Sequence, residues 1–186
     1  EWIGDIPEHW EVRKLKYLVS KSLQYGANKS GVEFNEKLPR YIRITDFNKE
    51  GLLNETNMLS LQWEDAWDFI LEDGDLLFAR SGGTVGKTFL FRSEFSGAKN
   101  NSFAGYLVRV QPNKKKCKSL YLYFYTQSAV FDEWKFSIII KSTIENISAE
   151  KYANLQIPLP PLSEQKEISA YLEEVDKETN RLIELN

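Results

Sequence analysis

Reactive and metal-binding side chains are scarce in this chain of 186 residues. It contains one cysteine, Cys117, and one histidine, His9. A single cysteine excludes an internal disulfide, and a single histidine is too few for a Cys/His zinc site or a histidine cluster. A Ser–His–Asp triad would have to use His9, which stands beside Pro7 and Trp10 in a loop-like stretch and is interpreted as structural or exposed. We therefore expect no metal site.

Long apolar runs and a signal peptide are also missing. No run approaches the roughly 18 residues of a membrane span, so no membrane association and a cytoplasmic location are expected. Hydrophobic residues make up 42% and charged residues 27% of the chain, as in ordinary globular domains. Aromatic residues reach 13%, and this abundance predicts that some of them lie on surfaces that contact a partner.

Three catalytic signatures are incomplete. Residues 82–88 resemble a phosphate-binding loop, but Ser81 stands where the Walker pattern needs glycine, and residues 89–91 read as a strand rather than a helix. A methyltransferase would show a glycine-rich adenosylmethionine loop and an Asn-Pro-Pro-aromatic element, and neither occurs. The two Glu-x-Lys pairs, at 133–135 and 164–166, fall on predicted helices, so a metal-dependent nuclease is not indicated. The chain is predicted not to be an enzyme.

Positive charge is concentrated in the middle of the chain. Residues 76–118 contain nine lysines and arginines and one acidic residue, a net charge of +8 within a chain of formal charge −3. The remainder therefore carries −11. A basic segment inside an acidic protein predicts a local surface for a polyanion. For residues 114–118 alone, a solvated hairpin or a helix start is the preferred interpretation.

The pattern of apolar residues predicts a mixed α/β fold. Alternating or short apolar runs predict strands at 40–47, 76–79, 87–91 and 105–110. Helical spacing predicts a short amphipathic segment over 12–19 and one amphipathic helix from Ser119 through Trp134.

The C-terminal region combines a proline segment with a regular helix. Residues 157–162 cannot be helical and are predicted to form a stiff connector. Ser163 is expected to cap the helix that follows. Five residues of this helix alternate at spacings of four and three, which defines a seam of coiled-coil type: Ile168, Leu172, Val175, Thr179 and Leu182. An ordinary helix with one buried stripe is the alternative, but the stiff segment before it favours a projecting helix that pairs with a partner.

Five motifs occur in an order that resembles one protein family. They occupy residues 2–10, 41–47, 74–82, 142–147 and 157–165. Together they resemble the specificity subunit of type I restriction-modification enzymes, and the resemblance spans nearly the whole chain. It implies a target recognition domain (residues 1–156) with a small twisted mixed sheet and flanking helices, followed by the connector and projecting spacer helix (157–186).

The resemblance also implies partners. In the family, two recognition units read the two halves of a split double-stranded DNA target, and their spacer helices pair and dock methylation subunits, which in turn hold the restriction subunit. Adenosylmethionine and ATP belong to those other subunits, so no cofactor is expected here. This sequence has one unit and one helix, as expected for half of a longer subunit or for a half-subunit that pairs with a second copy.

Candidate DNA-facing residues come from polar loops rich in Arg, Lys, Asn, Ser, Thr and Gly. They are Tyr25, Asn28, Lys29, Arg80, Ser81, Gly82, Thr84, Lys87, Lys99, Asn100, Lys141, Ser142 and Thr143. Arg80 and Asn100 are the candidates for base edges, and Lys87 and Lys99 for phosphates. Two alternatives stay open: a protein-interaction module of the same complex without DNA specificity, and an enzyme with a cryptic site.

Overall fold

The computed structural model describes residues 4–48, 51–139 and 146–184. Its strands are β1 (Glu11–Lys14), β2 (Gln24–Tyr25), β3 (Val32–Glu33), β4 (Arg40–Ile42), β5 (Leu59–Ser60), β6 (Leu76–Ala79), β7 (Thr88–Leu90), β8 (Asn101–Phe103), β9 (Leu107–Val110) and β10 (Gln156–Leu159). Its α-helices are α1 (Trp63–Ala66), α2 (Ser119–Tyr125), α3 (Ala129–Ile139), α4 (Ala149–Ala153) and α5 (Leu162–Glu184). The predicted mixed α/β class is confirmed.

The strands of the described residues form three small sheets. β2-β9-β6-β7 is antiparallel throughout, β3-β5-β4-β8 is mixed because β4 and β8 run parallel, and β1 pairs with β10. Within these residues, none of the helices is both long and apolar enough to cross a membrane.

β6 lies at the centre of the molecule and is buried on both faces. Leu76 and Phe78 contribute to the main core, which also contains side chains from α2, α3 and α4. Leu77 and Ala79 point to the other face, where they join Phe103 of the second four-stranded sheet. A strand covered on both faces needs consecutive apolar residues, which is why this segment reads Leu-Leu-Phe-Ala.

The amphipathic helix expected from Ser119 to Trp134 is two helices, and the prediction of one was wrong. α2 ends at Tyr125 and α3 begins at Ala129. Between them the Thr126 and Ser128 hydroxyls donate to the carbonyls of Tyr123 and Tyr125, 2.7 Å each. Hydroxyl side chains that bond to nearby backbone groups compete with helix continuation.

The predicted strand over 40–47 and the predicted helical segment over 12–19 differ from the structure. The strand expected over 40–47 ends at Ile42, because Asp46 accepts the Arg43 N–H (2.9 Å) and closes a 3₁₀ turn over Ile44–Asp46. The helical segment expected over 12–19 is β1 followed by a 3₁₀ turn at Leu15–Tyr17.

The proline segment is a strand rather than only a connector. β10 pairs with β1, with Pro158 opposite Val12. Proline lacks an N–H, but it is tolerated in this two-stranded sheet because both strands are edges. α5 then begins at Leu162 rather than after a Ser163 cap, and its 23 residues extend about 34 Å. The pairing of β10 with β1 and the packing of α2 on α5 join residues 157–184 to the rest of the fold.

Candidate nucleic-acid interface

One end of the antiparallel sheet collects the polar loops. β2 finishes there at Tyr25 and β6 at Ala79, while β7 and β9 start there at Thr88 and Leu107. We call the set formed by Tyr25, residues 80–87 and Tyr106 the Arg80 edge. The antiparallel register alone brings these segments together, since each strand either ends or begins at this end.

The loop between β6 and β7 consists of two consecutive turns. The Val85 N–H donates to the Gly82 carbonyl (2.9 Å), and the Lys87 N–H donates to the Thr84 carbonyl (3.0 Å). Gly82 has φ +81°, a left-handed conformation that glycine adopts without strain. A Cβ built on Gly82 would meet no atom within 4 Å. The tip of the loop is therefore open to close approach by a partner.

Arg80 is held at both its backbone and its side chain. Its N–H donates to the Tyr106 carbonyl (3.0 Å), and its carbonyl accepts the Ile147 N–H (2.8 Å). Its guanidinium carbon lies 4.4 Å from the centre of the Tyr25 ring, a cation–π contact. The Tyr25 hydroxyl in turn accepts the Ala149 N–H at 2.9 Å. The orientation of this arginine is set by segments far apart in sequence.

The other predicted DNA-facing residues of this region differ in their exposure and in their contacts. Ser81 forms a bridge with Asn146, Thr84 is half-buried and Lys87 is exposed. Asn28 is exposed as well. The Lys29 ammonium lies 2.8 Å from Asp65, whose carboxylate raises the lysine pKa by hydrogen bonding.

Lys99 and Asn100 lie at the opposite end of the second sheet from the Arg80 edge. They precede β8, where the Asn100 carbonyl accepts the Arg40 N–H (2.8 Å) and the Asn101 carbonyl accepts the Leu71 N–H (2.8 Å). Leu71 stands before the start of β6, whereas Arg80 follows its end. The structure therefore does not bring these two residues together with Arg80. Lys141, Ser142 and Thr143 lie outside the described residues.

Tyr106 belongs to the site, although sequence reasoning does not single it out as DNA-facing. The apolar pattern places it on one face of a strand, but it lies in the turn before β9 and is 66% exposed beside Arg80. The only signal in the sequence is its position directly after Gly105, since glycine is a turn residue.

The cations of residues 76–118 do not form one surface. Arg109 is buried, donates to the Ile70 carbonyl (2.6 Å) and lies 3.9 Å from Asp75. Burial lowers the pKa of its guanidinium. Arg92 pairs with Glu173 of α5 at 2.8 Å. The net charge of this segment therefore overstates the positive potential at any one place, and Arg80 and Lys87 are its cations at the Arg80 edge.

The predicted helix seam changes its environment along α5. Ile168 packs against the main core and Leu172 is half-buried. Val175 is 41% exposed, and every residue from Glu174 to Thr179 is exposed. The side chain of Leu182 is outside the described part. The first half of the seam thus serves the chain's own fold, and the second half is open to a partner.

No group of three or more His, Cys, Asp or Glu side chains in the described part of the chain is placed to hold a metal ion.

Comparison with known proteins matches nearly the whole chain. The family model described as the type I restriction modification DNA specificity domain covers residues 7–186. A putative type I restriction enzyme MjaX specificity subunit from Methanocaldococcus jannaschii is 31% identical over 183 residues, covering 94% of this chain and 41% of that protein.

Solved structures show the same fold. A chain in a structure of the type I R-M system superposes with a TM-score of 0.71 at 22% identity, and the HsdS subunit from Thermoanaerobacter tengcongensis with 0.68 at 20% identity. These matches cover 96% and 98% of this chain, and the chain spans 41% of each of those two chains.

The family is one of DNA specificity domains, in agreement with the expectation that the chain is not itself an enzyme. The ordered motifs, the mixed α/β fold and these matches lead to one conclusion: the chain belongs to the family of type I restriction modification DNA specificity domains.

Proposed function

We propose that the chain reads the base sequence of one half of a bipartite DNA target, with the Arg80 edge facing the DNA. The observation that carries this proposal is the geometry of that edge. An open glycine loop, the oriented guanidinium of Arg80, the exposed Lys87 and the exposed Tyr106 lie together at one end of a rigid sheet. Loops on a rigid scaffold are where binding residues concentrate.

The two cations of the edge suit different contacts. The Arg80 guanidinium is planar and matches paired acceptors on a base edge, whereas the Lys87 ammonium is a compact charge suited to a phosphate. Base contacts specify the sequence and phosphate contacts position the protein.

The assembly part of the proposal rests on α5. The exposed second half of its seam would pair with the helix of a second specificity unit, and the complex would dock methylation subunits and, through them, the restriction subunit, in the cytoplasm. The similar chain in the structure of the type I R-M system supports this role.

Sedimentation equilibrium tests the pairing. Val175→Glu is expected to shift a concentration-dependent dimer towards monomer, while Lys177→Gln, also exposed on α5, leaves it unchanged. A wild-type chain that stays monomeric at high concentration would contradict self-pairing.

Sequence recognition is tested with a pool of random duplexes. The protein is incubated with the pool at two salt concentrations, and the bound DNA is recovered and sequenced. Enrichment of a short motif is expected, with affinity that falls as salt rises because phosphate contacts release counterions. Lys87→Ala should weaken binding to all duplexes alike. Arg13→Ala, on β1 of the separate two-stranded sheet, should leave binding unchanged. Salt-sensitive binding without any enriched motif would refute sequence recognition by the isolated chain.

A further inference from the structure

We infer that Arg80 reads a guanine in the target half-site and that Tyr25 is the residue that positions it, an inference that rests on the proposed function. It assigns a chemical identity to one base of the target and a role to a tyrosine that lies 55 positions earlier in the sequence.

The guanidinium of Arg80 is presented as a flat group on an aromatic platform. Its central carbon is 4.4 Å from the Tyr25 ring centre. Its Nε is buried and has no hydrogen-bond partner among the described residues. The donors left for a ligand are therefore those of the two terminal nitrogens.

Tyr25 is itself held in place by its backbone and by its hydroxyl. The Tyr25 backbone belongs to β2 and pairs with Val108 of β9. Its hydroxyl accepts the Ala149 N–H at 2.9 Å. Tyr25 is still 38% exposed, so a ligand can approach the stack from solvent. The Arg80 side chain, held against this ring, has already lost much of the rotamer entropy that an arginine gives up on binding.

The surroundings of Arg80 favour a neutral, bidentate acceptor over an internal ion pair. Arg43, Arg92 and Arg109 each have a carboxylate within 4 Å, but no carboxylate among the described residues lies that close to Arg80. In the major groove, guanine offers the O6 and N7 acceptors side by side, and a planar guanidinium can bond to both. Adenine offers one acceptor and one donor at the same places, so it cannot satisfy two arginine donors.

The test uses the duplex enriched by the intact chain, with each guanine replaced in turn by 7-deazaguanine. This analogue keeps Watson–Crick pairing and removes only the N7 acceptor. At one position the substitution should weaken binding of the wild-type chain about 5- to 10-fold, and it should have no effect on Arg80→Ala. Arg80→Ala should itself bind the unmodified duplex about 10- to 100-fold more weakly.

The Tyr25 variants separate positioning from folding. Tyr25→Phe keeps the ring and should retain most of the discrimination between guanine and 7-deazaguanine. Tyr25→Leu removes the aromatic face and should lose most of it, although the urea midpoint of each variant stays near that of the wild type. Equal discrimination in Tyr25→Leu and wild type would overturn the positioning role.

The experiments distinguish a failure of sequence recognition from a failure of the guanine assignment. If no motif is enriched, sequence recognition fails and the guanine assignment fails with it. If a motif is enriched but every 7-deazaguanine substitution affects wild type and Arg80→Ala alike, or if Arg80→Ala weakens all duplexes equally, only the guanine assignment is overturned. In the second of these cases Arg80 contacts a phosphate.

Discussion

Gln165 links the start of α5 to the body of the protein, and its loss should be costly. The side chain is fully buried. Its Oε1 accepts the Lys118 N–H (2.8 Å), and its Nε2 donates to the carbonyls of Lys116 (3.1 Å) and Pro160 (2.9 Å). One amide thus joins the segment before α2 to the end of β10 at the point where α5 begins.

The magnitude follows from these three hydrogen bonds. Each contributes about 1 kcal/mol net, and truncation also leaves buried backbone groups without partners. Gln165→Ala should therefore lower the free energy of unfolding by about 3 kcal/mol. Gln165→Glu should be at least as destabilising, because a carboxylate oxygen would face two carbonyl oxygens.

Urea unfolding followed by tryptophan fluorescence measures this loss. Lys166→Ala is the matched control, because Lys166 is exposed and stands next in the same helix. A Gln165→Ala variant whose stability is within about 0.5 kcal/mol of Lys166→Ala would refute the argument, since surface substitutions stay within that range.

Three further predictions follow from local geometry. A Cβ on Gly26 would collide with the carbonyl oxygens of Phe103 and Ala104, so Gly26→Ala should lower the free energy of unfolding in urea by about 3 kcal/mol. Gly82→Ala has open space and only a positive φ to oppose it, so it should lower that free energy by about 1 kcal/mol. Equal losses in the two variants would contradict the packing argument. Burial raises the pKa of the Cys117 thiol from 9.0 to about 12. Its reaction with an aromatic disulfide at pH 8 should therefore be about a thousandfold slower in the native than in the unfolded chain, because the thiolate is the reactive form. A fast reaction of the native chain would contradict that burial. The hydrogen bond from His9 lowers the pKa of Glu164 below its usual 4.5, so its contribution to stability is present above pH 4.5 and is lost as the pH falls through the lowered pKa. The stability difference between wild type and Glu164→Gln should therefore shrink as the pH falls below 4.5, and a constant difference would count against the contact.

Several features of the protein follow from the sequence alone because they depend on local pattern. The apolar run of β6 predicted a strand, and the alternating spacing on α5 predicted the helix whose first half packs on the core. The order of five short motifs was enough to indicate the family, because each motif is a continuous stretch of residues. The scarcity of cysteine and histidine limits the available chemistry by composition alone, whatever the fold.

The tertiary structure decided how these pieces meet. Arg80 and Tyr25 come together only through the pairing of β2, β9 and β6, and the parallel pairing of β8 with β4 places Lys99 and Asn100 at the far end. Periodicity carries no information about which strands pair or about which charges are buried, so the internal position of Arg109 could not be predicted from its charge. The proline segment became β10 for the same reason: a partner strand near the start of the chain satisfies its backbone, and no local pattern records that partner.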